Sequence, residues 1–326
     1  MEKMKKSIKN ADKNITALLG IAILIFVAMG ILAPKSFLGI TNLQGMCIQF
    51  AEFGVLAFGM MLAMISGGID LSLVGIANFA SIAGAAVMIK LGSSNASIIA
   101  GVLAALAVGG ICGLFNGFMI GYLRIPPMLV TLCGLQLFTG LGLVVTKGPA
   151  LTDLPPAFNM IAGGTVALIP IAVIVFALVV LGVSFLLRSS VYGQHVRFMG
   201  TNATASRYSG IQNLKITMMT YGISGILGGV GGILMASHYN SAKSDYGSSY
   251  TLLTLLIVVL GGTNPDGGRG KVAGVTLSII VLQLVSSAFN ILRINAFIKT
   301  FVWGMILLAV MVSMKLLENK KERRSQ

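Results

Sequence analysis

The sequence predicts an all-α, polytopic membrane protein of about ten transmembrane helices, with both termini inside. Three observations carry this: the composition, the length of the apolar runs, and the placement of the basic residues. Of 326 residues, 56% are hydrophobic and only 10% are charged, against roughly 25% charged in an ordinary soluble domain. A soluble globule of this length has no polar skin to cover so much apolar surface, and intrinsic disorder is excluded by the same figures. The 41 glycines show no three-residue period, which excludes a collagen-like chain and fits closely packed membrane helices. The apolar runs are continuous and do not alternate with polar residues, so a β-barrel is not expected.

Stretches of about 20 apolar residues mark the spans. They fall at 15–32, 43–65, 73–89, 96–121, 127–145, 167–187 and 216–236, then a short one at 250–260, and finally 272–292 and 296–314. The first follows a basic head and could pass for a signal peptide. It is long for a signal core and more spans follow, so it is expected to stay as an uncleaved span. The organisation is then a basic cytoplasmic N-terminus (1–14), a transmembrane domain (15–314) and a cytoplasmic tail (315–326). With the N-terminus inside, the outside keeps only Lys35, Lys90, Lys147, Lys243, Arg293 and Lys299, and the other 17 of the 23 Lys and Arg face inward. That bias is what cytoplasmic loops carry. It also accounts for the net charge of +14 without a nucleic-acid partner.

Several segments break the apolar pattern. Ile65–Ser72 reads ISGGIDLS, where Gly67 and Gly68 end one helix and Asp70 is expected to cap the next. The alternative is an ion or proton site at Asp70. Leu260–Lys271 reads LGGTNPDGGRGK, with Gly261 and Gly262 as a second break. Its GRGK does not make a phosphate loop, which needs G-x-x-x-x-G-K-[ST]. Pro265 stands at the first glycine position and Val272 follows the lysine. The chain is therefore not expected to hydrolyse ATP itself.

The inner loop 188–215 contains a short helix of one or two turns near Ala203–Ser209, capped by Asn202 or Thr201 and ended by Gly210. Ala203 and Ala205 are good helix formers, and Arg207 and Tyr208 are large side chains at its end. Gly193 and Gly200 allow sharp turns. A short helix with no packing partner in its own loop is expected either to dock into another protein or to be a solvated connector.

Within the spans, Glu52 is the only acidic residue near a predicted centre, with Gln44 and Gln49 on the same helix. Gln136, Gln283 and Asn290 are further polar residues in spans. Gln49, Glu52, Gln136, Gln283 and Asn290 are read as lining a solute pathway, for which neutral amides suit a hydroxyl-rich solute. Interhelical hydrogen bonding is the competing role. Gly109, Gly113, Gly117 and Gly121 form an i, i+4 stripe, as do Gly225 and Gly229 with Gly228 and Gly232. These predict close helix packing. Cys47, Cys112 and Cys133 each lie in an apolar run and read as packing residues. No cofactor, metal site or catalytic constellation is expected.

Four motifs occur in order: ISGGIDLS, GYLRIPPMLVTL (Gly121–Leu132), VYGQHVRFMGTNATASRYSGI (Val191–Ile211) and VVLGGTNPDGGRGKVAG (Val258–Gly274). From about Phe37 to Val312 the chain resembles the membrane permeases of monosaccharide-type, ribose-importer-like ABC transporters. The resemblance implies a ten-span subunit in the cell membrane. It would pair with a second permease copy or homologue, two cytoplasmic ATPase subunits and an extracytoplasmic substrate-binding protein. It also implies that Gly193, Gly200, Asn202, Ala205, Arg207 and Gly210 belong to the ATPase-coupling segment. The implied activity is ATP-driven import of a sugar or sugar-like neutral solute by alternating access. The rival is an ion-coupled secondary transporter using Glu52 or Asp70. The resemblance breaks at Tyr250–Thr254. There, common family members carry an acidic pair and this chain has Thr251 and Leu253, so ribose does not follow as the solute. The SAKSDYGSS stretch is similar to permeases for a furanosyl signal.

Overall fold

A computed structural model describes residues 2–322, with side chains described over 15–295 and 297–312. The side chains of 1–14 and of the tail 315–326 lie outside these. The chain is a helical bundle. In order the helices are α1 (Glu2–Leu32), α2 (Pro34–Phe37), α3 (Ile40–Ile65), α4 (Leu73–Leu91), α5 (Asn95–Gly121), α6 (Pro127–Thr146), α7 (Met160–Gly163), α8 (Ile171–Ser189), α9 (Val191–Thr201), α10 (Ala203–Tyr208), α11 (Asn213–Tyr239), α12 (Tyr250–Leu260), α13 (Val272–Ile291) and α14 (Ala296–Glu322). A two-stranded hairpin, β1 (Thr165–Val166) with β2 (Ile169–Pro170), precedes α8.

Among the described residues, eight helices are long and apolar enough to cross a membrane, and Tyr250–Leu260 and Phe297–Val312 are shorter apolar helices. The all-α, multi-span reading of the sequence is therefore what the structure shows. Helix α3 sits at the centre. Every residue from Ala51 to Ile65 is buried, as expected of a helix that is apolar on all sides. Helices α8, α11, α12 and α13 contribute the large side chains packed around it. A satellite cluster joins Leu18, Ala22, Met29 and Phe37 of α1 and α2 to Val281 and Leu284 of α13.

The glycine stripes meet each other. A Cβ on Gly109 would strike the Gly225 carbonyl, one on Gly113 the Tyr221 carbonyl, and one on Gly225 the Gly109 carbonyl. Helices α5 and α11 thus pack backbone against backbone, the form of association available where lipid removes the hydrophobic drive between helices.

Two sets of loops gather at opposite ends of the bundle. The glycine end carries loops 66–72, 202–212 and 261–271 together with α9. At the far end, Leu151 and Ala242 exchange backbone hydrogen bonds at 2.9 and 3.0 Å. Ser237 Oγ there donates to the Phe158 carbonyl at 2.7 Å and accepts from Ala162 N at 2.9 Å. Asn78 Nδ2 ties α4 to the same end by donating to the carbonyls of Ser244 and Tyr246, at 2.8 and 2.9 Å.

Candidate functional site: a glycine junction and a polar cavity

At the glycine end, three segments far apart in sequence interlock through glycines. Helix α3 stops at Ile65, and Gly67 takes φ +91°. Helix α12 stops at Leu260, and Gly262 takes φ +82°. The turn beyond it places Gly267 and Gly268, both at positive φ, against the end of α9. Gly268 N donates to the Ile65 carbonyl at 2.9 Å. A Cβ on Gly200 would collide with that same carbonyl and stand 2.6 Å from Gly268 N. A Cβ on Gly267 would lie 2.6 Å from the Gly200 carbonyl and 2.8 Å from Gly67 Cα. Arg197 Nη1 reaches the Gly270 carbonyl at 3.3 Å, and half-burial lowers its guanidinium below the ordinary arginine range. A Cβ on Gly261 would stand 2.7 Å from Val275 N, so α12 and α13 also meet at glycine.

Helix α9 lies where the sequence predicts loop. Ser190 caps it by accepting from Gly193 N at 3.1 Å. Tyr192, Val196 and Met199 form its buried face. The Tyr192 hydroxyl meets Thr220 Oγ1 of α11 at 2.8 Å, and burial pushes that phenol up to about 12. Gly193 lies so close to α8 that a Cβ would stand 2.5 Å from the carbonyls of Leu186 and Leu187.

Helix α10 is the short helix read from the sequence. Asn202 Oδ1 accepts from Ala205 N at 2.9 Å, and Gly210 follows at φ +80°. Asn213 holds it from below: its Nδ2 donates to the Ala203 carbonyl at 2.7 Å and its Oδ1 accepts from Ser206 Oγ at 2.9 Å. Only Ser206 of α10 is buried. Ala205 and Arg207 are exposed, and Tyr208 is 90% exposed. Beside it opens a cleft of about 1070 Å³ whose lining includes Tyr122, Arg124, Arg207, Gly210 and Lys215.

Asp70 is placed differently from the expected helix cap. Ser72, not Asp70, precedes α4, and no side chain caps that helix. Gly68 packs against Pro127 of α6, to which a Cβ there would stand at 2.9 Å. The fully buried Asp70 carboxylate accepts from Ser72 N at 3.1 Å, Ser72 Oγ at 2.5 Å and Ser224 Oγ of α11 at 2.9 Å. Asn116 Nδ2 of α5 donates to Ser72 Oγ at 2.8 Å. The carboxyl group is thus a bridge to α11, held by three hydrogen bonds.

At the far end, a cavity of about 310 Å³ is lined by Thr41, Asn42, Gly45, Met46, Gln49, His238, Gln283, Ser287 and Asn290. Gln283 Nε2 donates to Gln49 Oε1 at 3.1 Å, and Lys299 donates to Asn290 Oδ1. Glu52 lies one helical turn beyond Gln49, fully buried. Its Oε1 is 2.5 Å from His238 Nδ1, and its Oε2 accepts from the Tyr250 hydroxyl at 3.2 Å. Four of the five pathway residues read from the sequence therefore converge. Gln136 is exposed on α6, apart from them. His238 was missed because it lies 186 positions from Glu52, a separation no local pattern spans. Among the described residues, no group of three His, Cys, Asp or Glu side chains could hold a metal ion.

A bundle of apolar helices around a polar cavity, with glycine-jointed breaks at the opposite end, defines a multi-pass membrane transport subunit. The chain belongs to the family described as branched-chain amino acid transport system / permease component, matched over residues 42–311. It is similar to the ribose import permease protein of Bacillus subtilis (strain 168), at 31% identity over 91% of each chain. The L-arabinose transport system permease protein of Escherichia coli (strain K12) is also 31% identical, over 88% of this chain and 86% of the relative. An autoinducer 2 import system permease protein of Klebsiella pneumoniae is 29% identical over 92% and 91%. No solved structure matches the chain significantly.

Proposed function

We propose that the chain is the permease subunit of an ATP-driven ABC importer for a monosaccharide or sugar-like neutral solute. In this reading the glycine end faces the cytoplasm with both termini, and a substrate-binding protein delivers solute at the far end. Helix α10 docks into a separate ATPase subunit, and a second permease copy or homologue completes the pathway. The observation that carries the coupling role is the state of α10. It is exposed on nearly every side yet held by Asn202 and Asn213, and α9 behind it is locked by Gly200 to the ends of α3 and α12. Closure of the ATPase pair would move α10, and a junction with no compressible side chain would pass that movement to the bundle. The solute class rests on the import permeases that the chain is similar to and on a cavity of amides and hydroxyls.

The ion-coupled alternative has less support. Both oxygens of Asp70 and of Glu52 are already engaged by side chains of the chain itself. The test is co-reconstitution with the ATPase and binding protein from the neighbouring genes. Uptake of labelled D-ribose, L-arabinose and related pentoses or furanosyl solutes should require ATP and persist when ion gradients are collapsed. Uptake without the ATPase that collapses with the proton gradient would overturn this reading.

A further inference from the structure

The cleft beside α10 gathers three cations and no acid. Arg124 stands in the turn after α5, Arg207 on α10 and Lys215 in the first turn of α11, and all three line the cleft. No Asp or Glu is among its lining residues. The ion pairs among the described residues are His238 with Glu52 and Lys243 with Asp245, so none of the three cations is paired with an acid there. Like charges brought together repel, and an anion between them would relieve that repulsion.

The floor of the cleft is apolar and runs deep. Leu114 lies seven residues before Gly121, the last residue of α5, which is roughly 10 Å along a helix rising about 1.5 Å per residue. Met219 stands at a similar depth in α11, which begins at Asn213. Both line the cleft and both are exposed, at 44% and 38%. Helices α5 and α11 have 27 residues each. At about 40 Å they overhang a hydrocarbon core of about 30 Å by about 5 Å at each end. The floor therefore lies inside the hydrocarbon, below the reach of a soluble ion or a water-soluble protein. Between floor and cations, Phe118 and Tyr122 stack with ring centroids 5.0 Å apart and planes 13° from parallel. Tyr122 lines the cleft and is exposed. Exposed aromatic rings at the end of a spanning helix mark the headgroup level.

We propose that this cleft binds an anionic glycerophospholipid, with its phosphate at Arg124 and Lys215 and one acyl chain over Leu114 and Met219 between α5 and α11. A guanidinium can grip a phosphate through two parallel hydrogen bonds, and basic pockets between spanning helices suit such headgroups. A soluble phosphate would use the cations alone, and a neutral lipid the floor alone. Only a charged lipid uses both. The site needs the spanning fold and does not depend on the importer reading.

The test is native mass spectrometry of the full-length permease, released from mixed micelles with equal amounts of phosphatidylglycerol and phosphatidylcholine. Phosphatidylglycerol should be retained preferentially. Arg124 and Lys215 are exposed, so Arg124→Gln/Lys215→Gln should fold normally. Its retention of phosphatidylglycerol should fall by about 25-fold, which is about fivefold for each cation near a headgroup. Lys35→Gln/Lys90→Gln removes the same charge at the far end and should leave retention unchanged. Glycerol phosphate in large excess should not displace the lipid, and displacement would show that the cleft takes a free phosphate instead. Equal losses in the two double variants would reduce the effect to net charge and overturn the site, as would equal retention of the two lipids. Loss of the bound lipid on adding the ATPase subunit would overturn lipid as the occupant and give the cleft to that partner.

Discussion

Replacing Gly200 by alanine adds one methyl group where the structure has no room for it. The new Cβ would collide with the Ile65 carbonyl and stand 2.6 Å from Gly268 N. Both are backbone atoms, so neither can swing aside as a side-chain end would. Relief requires the end of α9 to withdraw from the break after α3, and that withdrawal breaks the 2.9 Å bond from Gly268 N to the Ile65 carbonyl. Overpacking at a rigid site costs about 1–3 kcal/mol, and the broken hydrogen bond adds about 1 kcal/mol. A total of about 2–4 kcal/mol corresponds to a loss of about 3–6 °C in melting temperature for a chain of this size. The assay is thermal unfolding of the purified permease in detergent, followed by ATP-dependent uptake in the reconstituted complex. Gly163→Ala is the control, since a Cβ there meets nothing within 4 Å. The expected result is a lower melting temperature and weaker uptake for Gly200→Ala, with Gly163→Ala close to the unsubstituted protein. Equal melting of the two variants would show that the three segments do not interlock as described.

Other substitutions test the remaining parts. Gly210→Val places a β-branched residue at φ +80°, with a strain of about 1–2 kcal/mol. Membrane insertion should be normal and substrate-stimulated ATPase activity of the complex reduced, and normal stimulation would remove Gly210 from the coupling segment. Asn202→Ala deletes the cap of α10, worth about 1 kcal/mol, and should speed amide hydrogen exchange at Ala205 without changing the exchange of α11. Glu52→Ala leaves His238 and Tyr250 without their shared acceptor. Losing two hydrogen bonds at a buried site costs about 1–3 kcal/mol, so the melting temperature should fall, and an unchanged melting temperature would show that Glu52 does not hold the two side chains. Lys243 and Asp245 pair at 2.8 Å on the surface, where the carboxylate holds the ammonium above the ordinary lysine range. Lys243→Ala should nevertheless leave melting and uptake unchanged, because an exposed pair contributes little, and a drop in uptake would point to a partner at that loop.

The spanning helices were legible because each must satisfy its own backbone in lipid, which forces long apolar runs. That α5 and α11 each offer a close-packing face was legible for a related reason, since glycine at i, i+4 has little use in lipid except close approach; that the two faces meet each other was not. Helix α9 was not read, although Ser190 at its start and the apolar spacing of Tyr192, Val196 and Met199 were there to be counted. The glycines and charges between them masked the period. Asp70 was read as a cap because the local signal for capping is strong. Besides the neighbouring Ser72, its carboxyl group reaches Ser224, which lies 154 positions away. Likewise Glu52 was singled out by its cost in a membrane, and nothing local tied it to His238. Local chemistry named the residues with a role, and only the three-dimensional packing supplied their partners.

The backbone-to-backbone seam between α5 and α11 has a mechanical consequence. Carbonyls of one helix rest on glycines of the other, so sliding by even part of a turn would drive an oxygen into a Cα. The two helices must travel as one plank. Helix α13 has no such seam with α11; it meets α3 through ordinary side chains and carries α1 and α2 on its other side. The far-end cavity lies across this divide, with His238 on the plank and Gln283 on the other body. Spin labels on α5 and α11 should therefore keep a fixed separation through the transport cycle, while a pair spanning α11 and α13 should sample more than one distance.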